Sequence, residues 1–189
     1  MNDSFDPQAG DVRAETVNIR EGGARNVYAG VVNITMGGTR NVSAETVTLR
    51  QAGAQSVEAQ SVTIRQGGAL QVTAEQVDLA ASGVGLLRVG EARVGPGCNV
   101  VATLADKVVI EESLAPVLIA RQEARLDQSA AGVVVANRVA LSQSAVLLAV
   151  ADTVEGDVRV QVKPQVAAIF GAAFGTALAV ALLLARRGR

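Results

Sequence analysis

Residues Val17–Val31 read VNIREGGARNVYAGV, and the fifteen that follow, Val32–Thr46, read VNITMGGTRNVSAET. Two further copies come directly after, VTLRQAGAQSVEAQS from Val47 and VTIRQGGALQVTAEQ from Val62. Val holds the first position of each unit, Ile or Leu the third, Gly the seventh, Val the eleventh and Ala the thirteenth. Self-similarity at a fixed period is the mark of a stacked-coil architecture, in which each unit buries its apolar face against its neighbours.

The triplets Val17-Asn18-Ile19, Val47-Thr48-Leu49 and Val62-Thr63-Ile64 alternate apolar and polar residues and are rich in β-branched side chains, which predicts strands. The glycine pairs Gly22-Gly23, Gly37-Gly38 and Gly67-Gly68 would weaken a helix by about 1 kcal/mol per residue. Folded in thirds, the unit gives three inward-x-inward pairs: positions 1 and 3, 6 and 8, 11 and 13. Three five-residue sides per turn follow, one of them lined by Gly and Ala. Unit starts continue at Val77, Ala92, Val108, Ala124, Val139 and Val154. The steps to Val108 and Ala124 are one residue longer than the rest, so each is expected to carry its additional residue in a turn. Pro96 and Pro116 lie inside these two longer coils, where they suit altered corners. Cys98 counts into the seventh column, as a packed or corner residue.

The expected fold class is all-β, a three-sided β-solenoid of about ten 15–16-residue coils, followed by one C-terminal transmembrane α-helix. The expected organisation is residues 1–11 as an N-terminal tail or minimal cap, 12–162 as the solenoid, 163–165 as a linker, 166–185 as the transmembrane helix and 186–189 as a basic tail. Val166–Ala185, VAAIFGAAFGTALAVALLLA, holds no charge and as a helix would be about 30 Å long, enough to cross a bilayer. Within it Ala167, Gly171, Gly175 and Ala179 recur every four residues. Such a stripe lets two helix backbones approach closely, although simple Ala/Gly richness gives the same pattern. Lys163 before the span and Arg186, Arg187 and Arg189 after it are expected at the membrane interface. Residues 1–11 have neither the basic nor the apolar region of a secretory signal, which favours a cytoplasmic solenoid, whereas the terminal arginines favour a cytoplasmic C-terminus. The cytoplasmic solenoid is the expectation adopted.

Composition narrows the chemistry. Hydrophobic residues make up 49% of the chain, yet the only aromatics are Phe5, Tyr28, Phe170 and Phe174, which suits a core of small aliphatic layers. The chain has 17 basic and 18 acidic residues; four of the basic ones lie at or beyond Lys163, so the body carries about −5. No basic stripe offers itself to phosphates, and a nucleic-acid partner is not expected. There is no histidine, and Cys98 is the only cysteine. Hexapeptide-repeat acyltransferases depend on histidine, and calcium-dependent polysaccharide lyases need clustered acids where this body shows single ones such as Asp78 and Asp106. Glu111-Glu112 reads as an ordinary turn, and Gly95-Pro96-Gly97-Cys98 lacks the Lys and helix of a phosphate loop. No catalytic, cofactor-binding or metal-binding residue, no cofactor and no small-molecule substrate are expected.

The outward columns carry the remaining information. Position 14 reads Glu15, Gly30, Glu45, Gln60, Glu75, which avoids stacking like charges; positions 4 (Arg20, Thr35, Arg50, Arg65) and 2 (Asn18, Asn33, Thr48, Thr63) read as solvated ladders. Positions 10 and 12 change character along the chain. Early on they are Asn26 and Tyr28, Asn41 and Ser43, Ser56 and Glu58; later they become Val117 and Ile119, Val133 and Val135, Leu148 and Val150. A contiguous apolar strip of this kind reads as a contact site. The alternatives are a locally wider core or a chain end folded over the strip.

The Val-x-Ile, Gly-Gly and Val-x-Ala coils, with minimal caps and no active-site constellation, resemble the bactofilins over roughly residues 12–160. These are polymerising β-solenoid cytoskeletal proteins associated with membranes. The sides here are five residues long where bactofilin sides have six, and no functional residue carries over. The resemblance implies a non-catalytic, membrane-anchored scaffolding protein that self-associates or polymerises at the bilayer. The alternative expectation is a non-catalytic accessory subunit that docks its late coils on a larger membrane complex.

Overall fold

The computed structural model describes residues 10–156. They form a parallel β-solenoid of ten strands, each nearly a full winding: β1 (Asp11–Ile19), β2 (Gly22–Thr35), β3 (Gly37–Arg50), β4 (Gly53–Arg65), β5 (Gly68–Ala80), β6 (Gly83–Val94), β7 (Asn99–Glu111), β8 (Leu114–Asp127), β9 (Ala130–Ser142) and β10 (Ala145–Gly156). Each pairs only with its sequence neighbours, in parallel and in chain order. The register follows the repeat: Val17, Val32, Val47, Val62, Val77, Ala92, Val108, Ala124, Val139 and Val154 stack as one column.

The ladder between β2 and β3 lapses at Arg25/Arg40 and at Gly30/Glu45, and a third corner falls at position 5, where Met36 leaves β2. Three corners per winding make three sides, as the folded repeat predicts. From Met36 onward the position-5 corner has one backbone solution. Met36, Gln51, Gln66, Ala81, Glu112, Gln128 and Gln143 all have φ between 46° and 54°, and Gly97 serves the same corner at 73°. The bend is fixed from the next winding: Met36 N–H donates to Arg50 O (3.1 Å), Gln51 N–H to Arg65 O (3.0 Å) and Gln128 N–H to Ser142 O (3.0 Å). Those amide bonds are made only if the corner turns left-handed, which offsets the roughly 1–2 kcal/mol that a side chain costs there.

The core is a stack of aliphatic layers. Column three (Ile19, Ile34, Leu49, Ile64, Leu79, Ile110, Leu126) and column eleven (Val27, Val42, Val57, Val72, Leu87, Leu118, Val134) are buried, as is the first column from Val17 to Val139. Columns six and eight face inward with small side chains such as Ala52, Ala54, Ala69 and Ala131. At Gly37 successive windings approach so closely that an added Cβ would collide with the carbonyl oxygen of Gly22 in the winding before.

Both longer windings differ in detail from the sequence reading. The first additional residue falls between Val94, paired with Ile110, and Asn99, paired with Gly83, so it is absorbed by the Pro96–Gly97 turn. Cys98 therefore stands in column six, buried between Ser82 and Ser113, and not in column seven: the additional residue precedes it. The second falls between Ala105/Ala120 and Lys107/Glu123, so Arg121–Gln122 is the altered corner. Pro116 is in regular phase at position 9, a corner that makes no ladder pairing and so needs no amide hydrogen.

No helix occurs among the described residues, and none there is long and apolar enough to cross a membrane. The expected cap, linker, transmembrane helix with Ala167, Gly171, Gly175 and Ala179, and interfacial Lys163, Arg186, Arg187 and Arg189 lie outside the described residues.

Candidate functional site

The strip singled out from the sequence is brought together on one side of the solenoid. Val117, Val133 and Leu148 stack in column ten, and Ile119, Val135 and Val150 stack in column twelve. Val117 is 37% exposed, Ile119 40%, Leu148 47% and Val150 54%, while Val133 and Val135 are half-buried between their neighbours. Leu118 and Val134, in the column between, are 0% exposed. The period-two alternation is thus kept through β8 and β9, so the core is not wider here; an outward face has become apolar.

The surface is larger than the strip. Ala102 and Leu104 of β7 continue columns ten and twelve. Around the position-9 corner, Val101 and Leu114 are exposed on the neighbouring side. Positions 7, 9, 10 and 12 of β7–β10 hold no charged residue, and Asn99 is the one polar side chain among them. The signal for the neighbouring side was present in the sequence as position 9 passing from Arg25, Arg40 and Gln55 to Leu70, Val101 and Leu147. The small residues of positions 6 to 8 mask it, because they mark the inside of that side. A shallow groove of about 490 Å³ lies there, floored by Gly83 and Gly85 between Leu70 and Val101.

The remaining faces are polar and self-paired. Asn26 Nδ2 donates to Asp11 Oδ1 (2.6 Å), Asn41 Nδ2 to Asn26 Oδ1 (2.7 Å) and Asn33 Nδ2 to Asn18 Oδ1 (3.0 Å). The Arg13 guanidinium lies 5.2 Å from the centre of the Tyr28 ring, directly across the ladder. In the late windings Glu91, Lys107, Glu123 and Arg138 follow one another down position 15 with alternating sign, the arrangement cross-strand neighbours favour. Arg121 pairs with Asp106 at 3.7 Å beside the second altered corner.

A small hollow on the first side, about 290 Å³, is lined by Ser61, Thr63, Gln76, Asp78, Glu91 and Arg93 among others. It brings the acids Asp78 and Glu91 beside the base Arg93. Among the described residues no three His, Cys, Asp or Glu side chains gather as a metal site. Glu112 occupies the left-handed corner and Glu111 ends β7, so this pair forms a turn. Comparison with protein-family models, curated proteins and solved structures yields no match.

Proposed function

We propose that the chain is a non-catalytic, membrane-anchored structural protein whose solenoid self-associates or polymerises at the bilayer. The observation that carries this reading is the change along columns ten and twelve. The same stations that hold Asn26, Tyr28, Asn41 and Glu58 in early windings hold Val117, Ile119, Leu148 and Val150 in late ones, while column eleven stays buried behind them at Leu118 and Val134. Folding alone needs no such surface, since columns three and eleven already supply the buried layers. The uncharged Val166–Ala185 segment supplies the anchor in this reading, with the stripe from Ala167 to Ala179 pairing two anchors. The partners are the lipid bilayer and further copies of the chain, with neither nucleic acid nor a small-molecule substrate required.

The full chain should float with liposomes and resist extraction by high salt, whereas a chain ending at Gln165 should remain in the soluble fraction. Flotation of the shortened chain would remove the anchor from the proposal. Gly171→Ile with Gly175→Ile should weaken association in detergent by tenfold or more, and an unchanged oligomer distribution would reject helix pairing. We further take the windings to be cytoplasmic: protease added to intact cells should spare them, and cleavage would put them outside.

A second reading is favoured by the open groove between Leu70 and Val101, which lies around the corner from the strip. In it, the chain is a non-catalytic accessory subunit whose late windings dock on a larger membrane complex. Electron microscopy of the purified full chain separates the two. Ordered arrays or filaments support the scaffold, and discrete particles of one or two copies support the subunit.

A further inference from the structure

We infer that the occupant of the late-winding strip is a second copy of this chain, laid face to face with the solenoid axes antiparallel, so that β8 of one copy covers β9 of the other. The inference rests on the self-associating reading above and adds which surfaces meet and in which direction.

The pleat sets the terms. Side chains of columns ten and twelve stand about 6.8 Å apart along a strand, with rungs about 4.8 Å apart, and a flat sheet face of this kind packs on another at about 10 Å. A copy turned about an axis parallel to the strands, running between β8 and β9, meets the strip with its own spacing in both directions. Ala102 then lies over Leu148 of the second copy, a small residue opposite a large one, and Leu104 lies over Val150. Ile119 lies over Val135.

Charge fixes the direction. Columns ten and twelve are free of charge from β7 to β10 but carry Arg88 in β6, Glu58 in β4 and both Asp11 and Arg13 in β1. Parallel axes would bring every winding against its counterpart and press Arg88 against Leu86 and Glu58 against Ser56, stations that offer no countercharge, at the cost of their hydration. Antiparallel axes overlap only the four apolar rungs and leave the polar windings of both copies in water. A lipid occupant fits less well, because such a surface is normally rimmed by aromatic and basic side chains, and the one aromatic among the described residues, Tyr28, sits in β2.

The size of the contact has a consequence. Four rungs by one side cover on the order of 300 Å², well under the roughly 800 Å² per partner of a stable complex. The pair is therefore weak in dilute solution and forms where a tether raises the local concentration toward the millimolar range.

The test uses full-length protein in liposomes, in a Cys98→Ser background that the flanking Ser82 and Ser113 column accommodates. Leu104→Cys and Val150→Cys proteins are reconstituted separately and together and treated with a thiol–thiol cross-linker short enough to join only facing stations, on sheets about 10 Å apart and too far for a direct disulfide, and circular dichroism verifies that each keeps its strand spectrum. The mixture should cross-link at least tenfold more than either protein alone, because the two Val150 stations of a pair are about 14 Å apart, three rungs of stacking. Leu148→Asp should abolish that cross-link, and Leu114→Asp, on the neighbouring side, should leave it unchanged. A Val150→Cys protein that cross-links to itself as well as the mixture does would overturn the antiparallel arrangement. An oligomer that persists under amine cross-linking without any 104–150 thiol cross-link overturns this pairing alone, while a chain monomeric by both measures overturns the self-associating reading as well.

Discussion

Thr103 is wholly buried in column eleven, between Leu87 and Leu118, and its hydroxyl has no hydrogen-bond partner; Thr39, in column eight, is in the same position. Thr103 has the shape of a valine with a polar atom in place of a methyl, and Thr39 stands between Ala24 and Ala54; a buried hydroxyl left unpaired costs about 1–3 kcal/mol. Thr103→Val should raise the urea midpoint by the equivalent of about 1 kcal/mol, and an unchanged midpoint would show that the hydroxyl is satisfied after all. At the left-handed corner the sign reverses with side-chain shape. Gln128, at φ 47°, tolerates a conformation that a β-branched residue tolerates far less. Gln128→Val should lower stability by about 1–2 kcal/mol, while Gln128→Gly should leave it equal or slightly higher, measured by thermal melting.

The side built from columns six and eight shows what a strand pattern can and cannot disclose. Its inward-facing, small character was legible from Gly22, Ala52 and Ala54, because size alone decides which residues fit a narrow side. The hydrogen bonds were not. From Ser82 onward column six carries Cys98, Ser113, Ser129 and Ser144; the side chains of the last three satisfy the corner backbone of adjacent windings, while Cys98 Sγ meets Ser82 Oγ. Ser113 Oγ accepts from Cys98 N–H (3.1 Å) and donates to Gly95 O (2.6 Å); Ser129 Oγ accepts from Ser113 N–H (3.3 Å) and donates to Asp127 O (2.6 Å). In sequence a serine there passes for another small residue, since its role depends on how one corner overhangs the next. Ser129→Ala should cost about 1–2 kcal/mol by leaving the buried Ser113 amide without that acceptor, read from the shift in the denaturation midpoint. The apolar strip was legible for a related reason: alternation tells inside from outside, and a Val at an outward station stands out. The altered corners were legible only as counts, because periodicity reveals that a residue has been added to a winding but not at which of three corners.

At the scale of the solenoid, every strand pairing is between successive windings, so the unit that can be removed is a whole winding. Deleting Val47–Ser61 joins Thr46 to Val62 and preserves every column, so the shortened protein should keep its strand spectrum and cooperative melting. Deleting only Val47–Gln51 rotates all later windings by one side, turns Val57 and Val62 out of their columns and should give an insoluble product, assayed by expression and sedimentation. The stacking order has a mechanical reading too. A load applied between Asp11 and Gly156 acts on one terminal ladder at a time, because no strand bridges non-adjacent windings. Pulled in an optical trap, the body should peel like thread from a spool, each fifteen-residue turn paying out about 50 Å of chain in evenly sized steps.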